Sequence, residues 1–319
     1  LGPFTVSVRS KIILMAMVSA TPRRRRILIV FNPIAGRRRN LRLRAIVEAL
    51  EALGAVVTVR ETTGPGDASR IASEVTLSDW DAIVAAGGDG TLNEVLNGWH
   101  ADGPPVGLIP LGTANLAALE LAIRKAPRDI ARMIVDGMPQ PAYVGRVNGR
   151  RFLLMTGVGF DAEVVQSVST GVKRLLGKGA YVLEFMAQLW RYRFPSFDVE
   201  IDGVKTQAAS LIVANGHYYG GPYVCAAAAT FDQPGLFACI FEKPGAFHAL
   251  RYGLNMVFGR LEKGGFYRVL PASRIVINVP SGEPVQVDGD PGGQVPLVIE
   301  SEGAAIPLIR PLSPLNGAK

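Results

Sequence analysis

One short stretch, residues 83–93, limits more than any other what this chain can fold into. It reads IVAAGGDGTLN, an apolar run of four residues followed at once by a turn rich in glycine. A continuous apolar run of this length is typical of a strand buried on both faces, as in a parallel sheet. Open α/β sheets bind ligands at the carboxyl ends of such strands. The stretch therefore predicts a parallel sheet with a ligand site where this strand ends.

The residues of the turn indicate which ligand the site takes. Gly87, Gly88 and Gly90 allow positive φ and let backbone N–H groups approach phosphate oxygens closely. Thr91 is expected to cap the next helix, and Glu94 to complete a capping box. The N-terminus of that helix adds partial positive charge at the same place. The turn thus favours a phosphate group as ligand.

Asp89, in the same turn, has two interpretations. A carboxylate beside a phosphate is repulsive unless a cation lies between them, so Asp89 suggests a magnesium–phosphate assembly. Alternatively, the turn is only a tight connection from strand to helix, in which Asp89 hydrogen-bonds the loop. The turn by itself favours the second interpretation, and the motifs elsewhere in the chain favour the first.

Composition predicts two domains and anionic partners. A chain of 319 residues is long enough for two domains and a sizeable core. Its 34 Lys and Arg exceed its 27 Asp and Glu, which favours nucleotides or an acidic membrane surface. We find no zinc-ligand spacing and no nucleic-acid-binding module, so nucleic acid is not an expected partner. The two cysteines, Cys225 and Cys239, lack metal or redox spacing and indicate a reducing compartment, the cytoplasm.

Residues 1–23 are interpreted as a leader outside the folded domains. The apolar run at residues 12–20 follows Arg9 and Lys11 and superficially resembles a secretory signal. It is too short to span a bilayer. Because Met15 and Met17 precede a basic run and the first good strand, we favour a disordered leader or an over-extended start. A cleaved signal peptide is the alternative.

Residues 24–141 alternate short apolar strands with helices. The strands are expected at 27–31, 56–60, 83–86 and 106–109, each ending in a polar or glycine-containing turn. Gly54 is expected to end the first helix, and Asp67 to cap the second. This alternation predicts a Rossmann-like domain with a doubly wound parallel sheet.

Residues 142–319 have a different pattern. Asn148-Gly149 lies between two short strands and is a strong hairpin signal. Further strand-like pieces are separated by Gly, Pro or Asn, at 197–201, 210–214, 275–279 and 285–287. One helix, at about 173–192, interrupts them. The pattern predicts an antiparallel β-sandwich domain.

Five separated motifs, taken in order, resemble those of the bacterial diacylglycerol kinase-like lipid kinases, relatives of the sphingosine and ceramide kinases. They are Asn32-Pro33-Ile34-Ala35-Gly36, TTGPGD at 62–67, GGDGTLN at 87–93, PLGTAN at 110–115, and Asp288-Gly289-Asp290. The set covers nearly the whole chain after residue 24, and the ordered set is far more specific than any one motif.

The resemblance implies that ATP binds in a cleft between the domains and that its terminal phosphate passes to a lipid hydroxyl. The residues that it assigns to the nucleotide are Asn32, Pro33, Gly36, Thr62, Gly87, Gly88, Asp89, Gly90, Thr91, Asn93, Gly112, Thr113 and Asn115. Either Asp288 or Asp290 would accept the hydroxyl proton. Asp-Gly-Asp is also an ordinary turn between strands, and the choice between the two carboxylates stays open.

Two acidic residues are the candidates for metal binding. Asp89 is the leading candidate for Mg²⁺. Asp232 lies near the place where some family members bind a second, structural magnesium, although we prefer to interpret it as a turn residue. Many bacterial diacylglycerol kinases have an aspartate at the position of Leu116 and another near residues 143–145, and this chain has neither. These differences bear on the substrate and on the metal arrangement.

Two other functions stay open at this point. NAD kinases share a Gly-Gly-Asp-Gly-Thr loop on a related fold, and a non-catalytic nucleotide- or lipid-binding protein is a third reading of the same fold. With a lipid substrate, membrane contact must be peripheral. The basic runs at 23–26 and 37–39 are then candidates for contact with anionic headgroups; the alternatives are a solvated basic face or, for the second run, a contact with ATP phosphates. The apolar side of the helix near 181–194 could meet acyl chains, although we favour packing into the core. A homodimer is left open.

Overall fold

The structure, a computed structural model, describes residues 23–33, 37–168, 178–278 and 282–312. The chain divides into two compact units. The first continues to Tyr143 and resumes at Gly303, and the second is Val144–Glu302. Apart from Arg23, the leader expected at the N-terminus lies outside the described residues.

A six-stranded sheet forms the centre of the first unit. Its strands are β1 (Arg26–Phe31), β2 (Val56–Glu61), β3 (Ala82–Gly87), β4 (Val106–Pro110), β5 (Met138–Ala142) and β20 (Ile306–Arg310). In space the order is β2-β1-β3-β4-β20-β5. Neighbouring strands are parallel except β20 and β5, which are antiparallel. Strand β3 is buried along its whole length, as its apolar sequence predicts.

Five helices accompany this sheet in the described part of the chain. They are α1 (Arg37–Ala52), α2 (Asp67–Ser73), α3 (Asp89–Gly98), α4 (Leu116–Glu120) and α5 (Pro127–Asp136). Helix α1 packs against α5, and α2 against α3. Because the chain reverses direction across the sheet after β2, right-handed crossovers put α1 and α2 on opposite faces. The predicted doubly wound parallel sheet is confirmed.

Strand β20 comes from the far end of the chain. We expected residues 142–319 to form one β-rich domain, but β20 lies between β4 and β5. Its residues 306–309 are buried. A short apolar strand suits either a parallel sheet or a sandwich, so its sequence alone does not identify its partners. The β-rich unit therefore ends at Glu302.

Two antiparallel six-stranded sheets form the second unit. The strands of the first are β6 (Gly145–Val147), β7 (Arg150–Phe152), β9 (Phe197–Ile201), β10 (Val204–Ala208), β16 (Arg274–Ile277) and β19 (Leu297–Ser301). Those of the second are β8 (Met155–Gly159), β11 (Ser210–Ala214), β14 (Leu236–Phe241), β15 (Tyr267–Ala272), β17 (Pro284–Val287) and β18 (Asp290–Gln294). A separate hairpin pairs β12 (Tyr218–Tyr219) with β13 (Tyr223–Val224).

The two sheets share one core. Their orders are β10-β9-β16-β19-β6-β7 and β15-β14-β11-β8-β17-β18. Phe152 and Ile275 from the first sheet and Val213 from the second belong to a single cluster of buried side chains. The predicted antiparallel sandwich is confirmed. The hairpin at Asn148 and Gly149 is also present, with φ of 46° and 85°.

Three helices belong to the second unit in its described part, where the sequence indicated one. They are α6 (Phe160–Ser167), α7 (Lys178–Arg191) and α8 (Ala246–Val257). Helix α7 corresponds to the expected helix, whose first residues lie outside the described part. Helix α6 is short and has little amphipathic period, whereas α8 is amphipathic and the sequence analysis did not identify it. None of the helices described is long and apolar enough to cross a membrane.

The start of α3 differs from the expected capping box. The helix begins at Asp89 with Gly88 as N-cap, two residues before Thr91. The Glu94 carboxylate instead accepts a hydrogen bond from the Ala68 N–H at 3.2 Å, which ties α3 to α2. The expected cap of α2 is wrong in the same way, because Asp67 is its first helical residue and Gly66 the N-cap.

Candidate active site

The carboxyl edge of the parallel sheet brings four of the predicted motifs together. Asn32 follows β1 and its N–H donates to the Ala86 carbonyl at 3.1 Å. The N–H of Thr62, after β2, donates to the Phe31 carbonyl at 2.8 Å. The N–H of Gly112, after β4, donates to the Gly87 carbonyl at 3.1 Å. Motifs separated by up to 80 residues in sequence thus form one rim.

Close approach of main chains explains the glycines of this rim. A Cβ on Gly112 would lie 2.5 Å from the Cα of Gly88, and a Cβ on Gly87 would lie 2.3 Å from Thr91 Oγ1. We expected the turn to need positive φ, but Gly88 has a φ of −94°. The rim therefore requires glycine for space rather than for left-handed backbone.

Asp89 closes the rim through its carboxylate. Its two oxygens accept hydrogen bonds from the N–H groups of Leu116 and Ala117, each at 3.0 Å. Asp89 thereby connects the first turn of α3 to the first turn of α4. Asp89 therefore hydrogen-bonds the helix that follows the 110–115 turn, and its role toward a phosphate or a cation stays a prediction.

The asparagine side chains of the rim differ in whether all their polar atoms have hydrogen-bond partners. Asn32 Nδ2 lies 3.5 Å from Thr91 Oγ1, and the buried Asn93 accepts a hydrogen bond from Asn97 within α3. Asn115 has left-handed φ (51°), and its Nδ2 donates to the Gly112 carbonyl at 2.8 Å. Its buried Oδ1 has no hydrogen-bond partner within the described structure. That oxygen is an acceptor left for a ligand.

The remaining residues predicted to bind the nucleotide differ in burial. Pro33 and Gly90 are half-buried, Thr62 is buried and Thr113 is exposed. Gly36 lies outside the described residues. These positions surround the rim without adding a charged group to it.

The two carboxylates of the acidic motif have different surroundings. Asp288 has left-handed φ (50°), and its oxygens accept hydrogen bonds from Leu153, Leu154 and Met155 N–H at 2.8 to 3.0 Å. Asp288 thus holds the start of β8. Asp290 is the first residue of β18 and is half-buried. The motif is a turn, as one interpretation predicted, and Asp290 lies at its end.

A residue that the sequence analysis missed lies behind this turn. Asp161, in α6, is buried, and its Oδ2 accepts a hydrogen bond from Gln286 Nε2 at 3.0 Å. The Oε1 of the same Gln286 accepts from the Gly289 N–H at 2.9 Å. Gln286 therefore bridges Asp161 and the turn that contains Asp290. The one sequence signal was a Gly-Phe-Asp step directly after an apolar strand.

Burial changes the chemistry of Asp161. Desolvation raises its pKa from 3.8 to about 7, and the hydrogen bond from Gln286 lowers it only in part. Its Oδ1 is buried and has no hydrogen-bond partner among the described residues. Near pH 7 the Asp161 carboxyl is therefore partly protonated. Its Oδ1 is available to accept a hydrogen bond from a ligand.

An apolar cavity of about 120 Å³ adjoins Asp161. Six aromatic rings and several aliphatic side chains form its wall, most of them from α6, α7, α8 and the second sheet. Among the lining residues are Phe160, Phe185, Phe194, Phe241, Tyr252 and Met256. Asp161, Ser210 and Lys243 are polar members of the wall. A partly open apolar cavity with few polar groups is typical of a site for a largely apolar ligand.

Comparison with known proteins decides the family. Residues 26–147 match the family model described as diacylglycerol kinase catalytic domain, and residues 155–310 match the YegS C-terminal NAD kinase beta sandwich-like domain. The diacylglycerol kinase of Bacillus subtilis is 30% identical over 274 residues, which are 84% of this chain and 90% of that protein. This chain belongs to the diacylglycerol kinase-like lipid kinase family.

Other members of the kinase family agree in sequence and fold. The "probable lipid kinase YegS-like" protein of Pseudomonas putida is 31% identical over 283 residues, 86% of this chain and 92% of that protein. A crystal structure of a diacylglycerol kinase from Bacillus anthracis strain Sterne superposes with a TM-score of 0.71 at 24% identity, covering 91% of this chain and 98% of its own. Another structure from that organism gives a TM-score of 0.76. The structures show the shared fold.

The acidic side chains of the described residues do not cluster as a metal site would require. Among the residues that the structure describes, no group of three or more His, Cys, Asp or Glu could hold a metal ion. Asp232 is exposed, and its N–H donates to Thr230 Oγ1 at 3.2 Å, as in a turn. Leu116 is buried. Metal binding at Asp232 stays a prediction.

Three arginines of the basic run at 23–26 form hydrogen bonds or salt bridges with other residues of the first unit. Arg24 is buried, and its guanidinium donates to the carbonyls of Ile134 and Gly137; burial lowers its pKa to about 10. Arg23 and Arg26 form salt bridges with Asp136 at 2.9 Å and with Asp81 at 2.7 Å. Arg24 is therefore not part of a basic surface, whereas Arg23, Arg25 and Arg26 are exposed, and their contact with a membrane stays a prediction.

Proposed function

We propose that this chain transfers the γ-phosphate of ATP to the hydroxyl of a lipid alcohol, of the diacylglycerol or sphingoid type. One observation carries the proposal: a buried acid in the wall of an apolar cavity is linked by Gln286 to the turn that ends in Asp290. An apolar ligand with a polar end suits that arrangement. Family membership supplies the reaction class.

The rim of the first unit supports the ATP side of the proposal. The glycine turns leave room for phosphates to approach main-chain N–H groups, and Gly88 and Gly112 already touch. The buried Oδ1 of Asn115 would accept a hydrogen bond from a hydroxyl or amino group of the nucleotide.

Asp89 would hold Mg²⁺ together with the ATP phosphates. An ionised carboxylate has about four acceptor positions, so Asp89 can cap α4 and bind a cation at once. Mg²⁺ often takes one or two carboxylates and completes its shell with phosphates and water, so the donor set at Asp89 fits. The bound ion would offset the charge of the phosphates.

Asp290 would accept the proton of the lipid hydroxyl. Three main-chain N–H groups already bind the Asp288 carboxylate, and removing it from them would release the start of β8. The acyl chains would enter the apolar cavity, and Asp161 would hydrogen-bond the polar end of the lipid. With ATP in the cytoplasm and the acceptor in the membrane, this protein would act in the cytoplasm, attached peripherally to the membrane surface.

The test is a labelled-ATP transfer assay over a panel of lipid alcohols in mixed micelles, with NAD as a separate acceptor. We expect label in a lipid, and Asp290→Asn to lower kcat by about 10²- to 10⁴-fold because the hydroxyl loses its proton acceptor. Asp198→Asn, which changes an exposed carboxylate of β9, is the matched control and should keep full activity.

Three outcomes contradict parts of the proposal. Label in NAD and not in lipid would make the chain an NAD kinase. ATP binding without transfer to either acceptor would indicate the non-catalytic alternative. An Asp290→Asn variant as active as Asp198→Asn would remove Asp290 as the proton acceptor.

A further inference from the structure

Two neighbouring helices of the second unit expose large apolar side chains on their outer faces. On α7 they are Val182, Leu183, Met186 and Trp190, and on α8 and its C-terminal end Phe247, Leu250, Leu254, Val257 and Phe258. Trp190 is 86% exposed and Phe247 73%. We call these nine side chains the apolar face. Clustered exposure of this kind marks an interaction site more often than chance scatter does.

The apolar face is separate from the residues with which the same helices enter the core. Phe185 and Leu189 of α7 and Ala249 of α8 face inward, into a cluster with Phe160 and Val164. The exposed side chains follow at helical spacing on the other side. Each helix is therefore apolar on two sides, and only one of them is covered in the described structure.

The apolar face lies next to the cavity. Phe185 of α7 is close enough to Gly253 of α8 that a Cβ there would be 3.0 Å from the ring. Phe185, Gly253, Ala249 and Met256 are all part of the cavity wall. The helices that expose the apolar face therefore also form part of the cavity wall. A ligand that passes between them would move from the apolar face into the cavity.

Charge around the apolar face selects an anionic partner. Residues 178–194 and 242–268 contain eight Lys or Arg and three Glu. Among the acids, Glu242 is paired with Arg268, and Glu184 accepts a hydrogen bond from Gln188. Lys243 is exposed and lies 5.2 Å from the centre of the Phe266 ring. A second copy of the chain would bring this positive surplus against itself, which is repulsive.

We propose that the apolar face of α7 and α8 docks on an anionic lipid bilayer and that the lipid substrate passes between these helices into the cavity; the second clause rests on the proposed function. Exposed Trp and Phe beside Lys and Arg are the side chains that partition into a membrane interface. Arg24, which is buried in the first unit, is not part of this docking surface.

The test is sedimentation of the full chain with vesicles, without ATP and Mg²⁺. Vesicles of phosphatidylcholine are compared with vesicles of equal phosphatidylcholine and phosphatidylglycerol. We expect stronger binding to the anionic vesicles, and a loss of about tenfold or more in the combined variant Val182→Gln, Met186→Gln and Trp190→Gln.

A matched variant controls for lost apolar surface. Val56→Gln, Val204→Gln and Leu312→Gln together change three side chains that are 62 to 69% exposed elsewhere in the chain, and binding should be unchanged. In a chain with Trp80→Phe and Trp99→Phe, the emission of Trp190 should shift to shorter wavelength on anionic vesicles. An α7 variant that binds vesicles as the unaltered chain does, or an unshifted Trp190, overturns the docking face.

Two further measurements separate the docking face from the kinase activity. The α7 variant should phosphorylate a dispersed short-chain lipid as fast as the unaltered chain and lose activity only on vesicles. If no lipid is phosphorylated but vesicle binding still depends on α7, the docking face stands and the proposed function fails. If the unaltered chain ignores vesicles and forms a dimer that the α7 variant abolishes, a second copy covers the face and the proposal is overturned.

Discussion

The two candidate sites of this chain differ in the kind of atoms that form them: main-chain atoms in the first unit and buried side chains in the second. In the first unit, the turns at 87–93 and 110–115 meet through main-chain atoms and glycines, with Asp89 capping α4. In the second unit, buried side chains from α6, β17 and the following turn are joined by Gln286. A main-chain site needs particular residues in one continuous order, and a motif shows that order. A side-chain site needs only residues that meet in space.

The largest expected effect tests whether the second site depends on a buried acid. Burial raises the pKa of Asp161 to about 7. Below about pH 4 the group is protonated in both folded and unfolded chains. Between about pH 4 and 7 the folded chain keeps a proton that the unfolded chain has lost, so stability falls as pH rises and levels off above 7.

Asp161→Asn should remove this dependence. We expect equal free energies of unfolding for the two chains at about pH 4, and a variant more stable by roughly 4 kcal/mol at about pH 8. Urea unfolding followed by circular dichroism measures both. If the free energy of unfolding depends on pH in the same way for both chains, the pKa of Asp161 is not raised by burial, and the second site does not contain a protonated acid near pH 7.

A smaller effect compares the two carboxylates that hold main chain. Asp288→Ala leaves three N–H groups without their acceptor and puts Ala at φ 50°, which should cost about 3 kcal/mol of unfolding free energy. Asp89→Ala releases two N–H groups and should cost about 2 kcal/mol. Asp288→Asn is the milder control, because Asn keeps an acceptor and tolerates left-handed φ. A stable Asp288→Ala chain with low kcat would make Asp288 the proton acceptor.

The last effect, similar in size or smaller, tests the main-chain site. Gly112→Ala forces a Cβ to within 2.5 Å of the Gly88 Cα, so we expect a loss of about 1 to 3 kcal/mol in stability together with weaker ATP binding. Gly303→Ala meets nothing within 4 Å and serves as the control. Isothermal titration with ATP measures the affinity. Equal ATP affinity in both variants would show that the close approach of the two turns does not form the nucleotide site.

Most of the fold and the rim of the first unit were predictable from sequence because they depend on local patterns. Continuous apolar runs identified β1, β3 and β4, and polar glycine turns at their ends placed the rim. Asn148-Gly149 identified its hairpin. The expected capping box at Thr91 and Glu94 was wrong for a local reason as well, because Gly88 can end the strand and start the helix itself.

By itself, then, the sequence determined the two fold classes, the order of β1 to β4 with the turns that follow them, and the kinase family. Only the tertiary structure decided that β20 joins the first sheet, that Arg24 is buried, that Asp288 holds the start of β8 and that Asp161 meets Gln286. The physical reason is the distance along the sequence over which each property is determined. Backbone conformation follows from a few adjacent residues, whereas burial, pairing and pKa follow from whichever side chains the fold brings into contact.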